Sequence, residues 1–384
     1  MRRTGIVVTL LAVLAALLGP SSSAVDAAEQ RPAAVPSLAV SNAVAGLEMP
    51  WDVKQLPGGR LLIGERSTKR LLIATGGTKK VLKFASDRVW ASGETGLMGL
   101  AVDPDFATNR RIYTCQGWLK AGGGHDVRVI AWKINSAYSA VSYVGPLVSG
   151  FPTSSGRHGG CRLLITRAGS LMVGTGDAAV GTNPQNLTVL GGKTLRLNRF
   201  TGAPWPTNRW IKATSKNQRY IYTYGHRNVQ GLTQRADGTL FSVEQGTDRD
   251  DEVNKLHPGA NYGWNPVPGY DESKPMTDQS LPGPQYSAKW SSGNPTLATS
   301  GAAWVRGSQW GSFDGTLAVA ALKSTRVIFM KFDSHGHLLW TRSPAALQTS
   351  GRLRSVTQAA SGDLLITTSN GTDDVVLRVH PNLG

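Results

Sequence analysis

The residues best able to do chemistry fall in four polar segments punctuated by glycine. Arg157-His158-Gly159-Gly160 sets an imidazole beside two glycines; uncrowded in this way, it suits a general base. One hairpin later, Gly174-Thr175-Gly176-Asp177 ends a strand with a carboxylate that can reach back to the histidine. Gly225-His226-Arg227-Asn228-Val229-Gln230-Gly231 packs hydrogen-bond donors between turn glycines, an arrangement suited to an oxygen-rich ligand. The run from Glu244 to Asn254, followed by Asn261-Tyr262-Gly263-Trp264, clusters carboxylates with free backbone carbonyls, the donors a hard cation such as Ca²⁺ requires. It is no EF-hand, since Val253 stands where the sharp-turn glycine belongs. Toward the C-terminus lie Lys323 and the pair Arg352 and Arg354, whose spacing puts both arginines on one strand face, available to an anion. Taken singly, each segment has a plainer reading: a turn histidine, a self-bonded loop, an acidic surface loop, a solvated basic face. No G-x-G-x-x-G opening a helix, H-E-x-x-H or G-x-S-x-G occurs, which removes support for nicotinamide, zincin and α/β-hydrolase chemistry.

Segments so far apart need a scaffold that brings loops together. The chain repeats one phrase: alternating apolar residues, a turn with glycine, then a second apolar strand. It occurs at 51–66 (WDVKQLPGGRLLIGER), 162–177, 231–246 and 355–370, with looser copies at 100–114 and 303–321. Period-2 runs about a glycine turn pair as antiparallel strands. Their recurrence, roughly every 45 to 75 residues, matches the scale of a four-stranded propeller blade. The expected fold is therefore all-β, a six-bladed β-propeller of four-stranded antiparallel blades, with 375–380 closing the ring against the N-terminal blade. A double-sheet sandwich or a β-helix would demand shorter, more regular repeats. The Pro-, Ser- and Gly-rich stretch 266–295 reads as a long loop between blades, so residues 29–384 form one domain whose first part, 29–44, is a flexible lead-in.

Arg2 and Arg3, an apolar run from Gly5 to Leu18 and the small residues up to Ala28 predict a signal peptide over 1–28, and hence a secreted or periplasmic protein with no transmembrane anchor after cleavage. In that setting the two cysteines, Cys115 and Cys161, are a plausible disulfide, with two separate buried thiols as the alternative. The net charge of +16 is spread singly along the chain. It argues for solubility or association with an anionic cell surface rather than a nucleic-acid partner.

In order and wording, these loops resemble the soluble quinoprotein glucose/sorbosone dehydrogenase family. The likeness runs from MPWDV and IGER through GLMGLAVDPDF, HGGCRL, GTGD, GHRNVQGL, EQGTDRDDEVN and NYGW to GRLRSV. The resemblance implies a six-bladed propeller using pyrroloquinoline quinone (PQQ) and calcium to oxidise the anomeric hydroxyl of aldoses to lactones, with an external electron acceptor. Carried across, His158 is the general base, Asp177 orients and charge-stabilises it, and Arg227 and Asn228 contact the quinone. Lys323, Arg352 and Arg354 meet the quinone's carboxylates, and Gly246 and Thr247 offer carbonyls to its calcium. A second, structural calcium would draw on Glu252, Tyr270 and Glu272. Two departures stand out: Glu94 occupies a cofactor-facing position that often holds Gln, and Arg157 stands where the glucose enzymes carry Asp. The rival functions are a non-catalytic propeller that binds glycans or a protein, and a calcium-dependent lactonase-like hydrolase. Retention of His158, Arg227, Lys323, Arg352 and Arg354 together favours the dehydrogenase.

Overall fold

Every repeat phrase folds as the first two strands of one blade. The computed structural model describes residues 33–383, with Met1 and Gly5; apart from those two, the expected signal sequence lies outside the described residues. Among the described residues the first element is β1 (Ser37–Leu47). The first blade holds β2 (Pro50–Gln55), β3 (Leu61–Glu65), β4 (Leu71–Thr75) and β5 (Thr78–Val81). The second holds β6 (Leu97–Val102), β7 (Arg111–Leu119), β8 (His125–Ile134) and β9 (Val141–Phe151). The third holds β10 (Gly160–Ile165), β11 (Ser170–Thr175), β12 (Lys193–Asn198) and β13 (Ile221–Tyr224). Blade four is β14 (Val229–Gln234), β15 (Leu240–Glu244), β16 (Glu252–Lys255) and β17 (Trp290–Ser291). Blade five is β18 (Thr299–Trp304), β19 (Leu317–Ala321), β20 (Arg326–Phe332) and β21 (Leu338–Arg342). The last is β22 (Leu353–Gln358), β23 (Leu364–Thr368) and β24 (Asp374–Asn382), completed by β1. The molecule is a six-bladed β-propeller of four-stranded antiparallel sheets.

The hydrophobic pattern explains the stacking. The second strands β3, β11, β15, β19 and β23 are buried at every residue, because each blade's two faces pack on its neighbours. The outermost strand of the first blade, β5, Thr-Lys-Lys-Val, is exposed throughout, whereas β13, outermost in the third, is buried at three of its four residues. At the hairpin turns, Gly169 and Gly362 take φ of 83° and 92°, a left-handed conformation that β-carbon-bearing residues resist. All six innermost strands, β2, β6, β10, β14, β18 and β22, carry a register shift against their partner near their first residues. Such bulges re-aim side chains at the rim of a sheet.

Three expectations about connectivity are corrected. Residues 37–44, taken as part of a flexible lead-in, belong to β1. That strand pairs antiparallel with β24 from Ser37↔Asn382 to Leu47↔Asp374, so the ring closes by the N-terminal strand joining the C-terminal blade, not the reverse. The stretch 266–295 is not an inter-blade loop: it is mostly an excursion within blade four, leaving after β16 and returning at β17. No helix among the described residues is long and apolar enough to cross a membrane.

Cys115 on β7 and Cys161 at the start of β10 form a disulfide that staples blade two to blade three across 46 residues of chain. Replacing both by serine removes a loop constraint worth about 2–5 kcal/mol. The double variant should unfold at correspondingly lower denaturant, and an unchanged midpoint would refute a stabilising role.

Candidate functional site

The rim of the third blade presents the histidine. His158 and Gly160 have φ of 52° and 57°, so the chain kinks just before β10. The glycines serve close backbone approach rather than an uncrowded ring. A β-carbon on Gly176 would lie 1.8 Å from the His158 carbonyl, and one on Gly160 would lie 2.2 Å from the Gly176 nitrogen. The imidazole itself is only 3% exposed, a correction to the open setting expected.

Its Nδ1 lies 2.8 Å from Asp177 Oδ1. Asp177 is fully buried and accepts further hydrogen bonds from the Ala179 N–H (2.8 Å), the Trp264 indole N–H (2.8 Å) and the Tyr270 hydroxyl (2.7 Å). Both oxygens are thus committed, and one of them takes the Nδ1 proton. That fixes the tautomer in which Nε2 presents its lone pair, and Nε2 has no hydrogen bond among the described residues. The loop after Asp177 is anchored by Lys193, a buried ammonium donating to the carbonyls of Asn183 (2.7 Å), Pro184 (3.0 Å) and Gly191 (2.6 Å). Burial pushes this lysine down to about 7, with Asp177 pulling the other way.

The fourth blade brings its polar loop alongside. The Asp177 N–H donates to the Arg227 carbonyl at 2.9 Å, joining the two segments directly. The buried Arg227 guanidinium donates to the Gln245 carbonyl (3.2 Å) and to Glu272 (2.5 Å), while its Nε has no partner among the described residues. Asn228 accepts from the Gly160 N–H (3.1 Å) and from Gln230 (3.1 Å) and donates to Glu94 (3.1 Å). Glu94 also accepts from the His158 N–H at 3.2 Å, so this carboxylate is held by donors on two blades.

The expected basic group is larger than the sequence reading made it. Arg354 is buried and donates to Gln230 at 3.1 Å. Burial, then neighbouring Arg66, pushes its guanidinium down, with Glu94 opposing. Arg66, Arg162 and Arg352 all act on it, three guanidiniums against the one carboxylate of Glu94. Arg352 precedes β22 and is exposed: the bulge between Leu353 and Ser355 breaks the alternation that would have set both arginines on one face. Lys323 lines a 510 Å³ cavity with Arg157, Arg227, Thr247, Asp248, Glu272, Ser273 and Thr296.

The proposed structural-calcium set does not assemble through its side chains. Tyr270 points its hydroxyl at Asp177, Glu272 bridges Arg157 and Arg227, and Glu252 hydrogen-bonds Asn254 (3.1 Å) and Thr277 (3.3 Å) beside Glu244. Burial and the Glu244 charge push Glu252 up to about 8. Among the described residues no group of three or more His, Cys, Asp or Glu forms a metal cage. Gly246 and Thr247 remain a different case, for neither carbonyl accepts a backbone hydrogen bond among the described residues. Trp264, Tyr270 in its contact with the histidine, Lys193, Arg66 and Arg162 went unread as site residues. Trp264, Arg66 and Arg162 lie inside the NYGW, IGER and HGGCRL phrases, whereas Lys193 had no local signal.

The histidine–carboxylate pair thus lies beside the Arg227 loop, at the same end of the blades as the arginines around Arg354. The model of the glucose/sorbosone dehydrogenase family matches residues 47–377, and the chain belongs to that family of sugar oxidoreductases. It is 28% identical over 350 residues to an aldose sugar dehydrogenase of Escherichia coli, covering 87% of this chain and 91% of that protein. It is also 28% identical over 257 residues to quinoprotein glucose dehydrogenase B of Acinetobacter calcoaceticus, 60% of this chain and 52% of that one. The PQQ-bound aldose sugar dehydrogenase of Streptomyces coelicolor superposes with a TM-score of 0.77 at 27% identity, covering 92% of this chain and all of the other (100%).

Proposed function

We propose that the chain is an exported, PQQ- and calcium-dependent dehydrogenase that oxidises the anomeric hydroxyl of aldoses to lactones and passes electrons to an external acceptor. The observation that carries this reading is the His158–Asp177 pair, 2.8 Å apart, joined through Asp177 N–H to the loop of Arg227. His158 Nε2 takes the proton of the sugar hydroxyl, and Asp177 stabilises the imidazolium that results. Arg227, Asn228, Lys323, Arg352 and Arg354 would hold the cofactor. The fit rests on the surplus of guanidinium around Arg354 and the unpartnered Nε of Arg227, which suit a flat polyanion. The carbonyls of Gly246 and Thr247 would hold Ca²⁺. Bound PQQ supplies the two-electron acceptor that no side chain provides. Export is supported by the N-terminal signal pattern and the Cys115–Cys161 disulfide, and the charge of +16 suits contact with an anionic cell surface.

The decisive assay adds PQQ and Ca²⁺ to purified protein and screens aldoses with a dye acceptor. Sugar-dependent bleaching is the expected result. Quinone uptake without bleaching by any aldose would overturn the dehydrogenase reading in favour of a binding propeller.

A further inference from the structure

Tyr270 and Glu272 sit two positions apart on the excursion between β16 and β17, and both reach into the site. Glu272 bonds Arg157 Nη2 through both oxygens, at 2.7 and 2.8 Å, and Arg227 Nη2 through Oε1 at 2.5 Å. Tyr270 donates to Asp177 Oδ2 at 2.7 Å, and its oxygen lies 3.0 Å from His158 Nδ1. The Arg157 guanidinium lies over the Tyr270 ring, 5.6 Å from its centroid. One short piece of loop therefore touches the base, the carboxylate that orients it and the guanidinium beside it. The loop's own hydrogen bonds here are few and local: Asp271 N–H to the Pro266 carbonyl (2.8 Å), and Ser273 to the Asp271 side chain. Long loops are costly to order, and charge-assisted bonds to guanidinium are among the stronger ways to hold one.

We propose that Glu272, bridging Arg157 and Arg227, is a positioning residue that seats Tyr270 on the His158–Asp177 pair, so that the base is complete only when this loop is docked. The inference rests on the reading of His158 as the base. The division of labour follows from the donors. The Tyr270 hydroxyl occupies Oδ2 of Asp177, leaving Oδ1 to the imidazole Nδ1–H and so keeping the proton on Nδ1 and the lone pair on Nε2. Burial, then the Asp177 charge, pushes the Tyr270 phenol far above its usual range, so it stays a donor throughout the working pH range. Glu272 keeps its charge as well: partial burial works against ionisation, but the hydrogen bonds from Arg157 and Arg227 leave its carboxyl below the ordinary range. Arg157, the departure from the glucose enzymes, thereby gains a role as the outer half of a clasp.

The test compares Glu272→Ala, Tyr270→Phe and the double variant in the full chain, saturated with PQQ and Ca²⁺. Hydrogen exchange of the Asp271 and Ser273 amides should accelerate in Glu272→Ala, by about tenfold or more, while the blade strands are unaffected. Each single variant should lower kcat on an aldose about tenfold, and the double variant should be no worse than Tyr270→Phe alone, because Glu272 acts through Tyr270. A generic structural role would instead make the two losses additive, and additivity overturns the proposal. So does unchanged amide exchange. If the wild-type protein itself fails to oxidise any aldose, the functional reading falls, and the exchange measurement still decides whether Glu272 seats the loop.

Discussion

In the protein loaded with PQQ and Ca²⁺, His158→Ala should lose about 10³-fold in kcat, within the 10²–10⁴ that a positioned general base contributes, while quinone affinity stays within a few-fold. The asymmetry follows from geometry. His158 makes one polar side-chain bond to Asp177 and one contact to Tyr270, whereas the groups assigned to the cofactor are Arg227, Asn228, Lys323, Arg352 and Arg354 on other blades. Its backbone N–H, which donates to Glu94, is retained in alanine. Single-turnover kinetics with a dye acceptor, set beside a quinone titration, separate the two effects. An alanine variant that oxidises sugars at the normal rate would remove His158 from the mechanism, and a parallel loss of quinone affinity would make it a binding residue instead.

Asp52→Ala should cost about 3–5 kcal/mol of stability, the range for breaking a buried ion pair from one side. Asp52 is fully buried on β2. It accepts from Arg162 Nη1 at 3.0 Å, from Lys54 Nζ at 3.0 Å and from the Leu100 N–H at 3.0 Å. Those donors belong to β10, β2 and β6, so one carboxylate pins three successive blades where their innermost strands meet. Burial pushes the Arg162 guanidinium down and Asp52 pulls it back up. Alanine leaves that cation in the interior, where Arg162 already has one nitrogen unpartnered among the described residues, with only the Trp51 ring 4.1 Å beneath it and the Gln230 carbonyl for compensation. Denaturant unfolding of the two proteins checks the figure, and a loss below about 1 kcal/mol would show that the interior rearranges to replace the carboxylate.

The blades were legible because their information is local. A glycine turn between two apolar runs, as in Arg162 to Asp177, specifies a hairpin without reference to the rest of the chain. Six copies then announce six blades. The meeting of His158, Asp177, Arg227 and Asn228 at one rim was legible as well, since each sits in a glycine-punctuated phrase at a strand end. The misreadings concern partners that local pattern does not encode. Tyr270 and Glu272 lie in a loop whose composition says only that it is irregular, and their partners stand far away in sequence. A bulge at Leu353 leaves Arg352 exposed ahead of β22 while Arg354 is buried, although the spacing set both on one strand face. The ring closure was inverted because Ser37–Leu47 alternates too weakly to announce a strand, with a burial pattern dominated by exposed residues. Its stability comes from the long ladder it makes with β24, which no inspection of the segment alone reveals.

That ladder has a bearing on how the molecule comes into being. Ser37 is made long before Asn382, yet the two lie opposite one another in a single sheet. Five blades can form as the polypeptide emerges, each from contiguous residues. The sixth has to wait until β24 has been made, with β1 idle in the meantime. Closure is thus a length check: a chain that ends early leaves an unpaired edge at each side of the gap and no circle to hold the rim segments together.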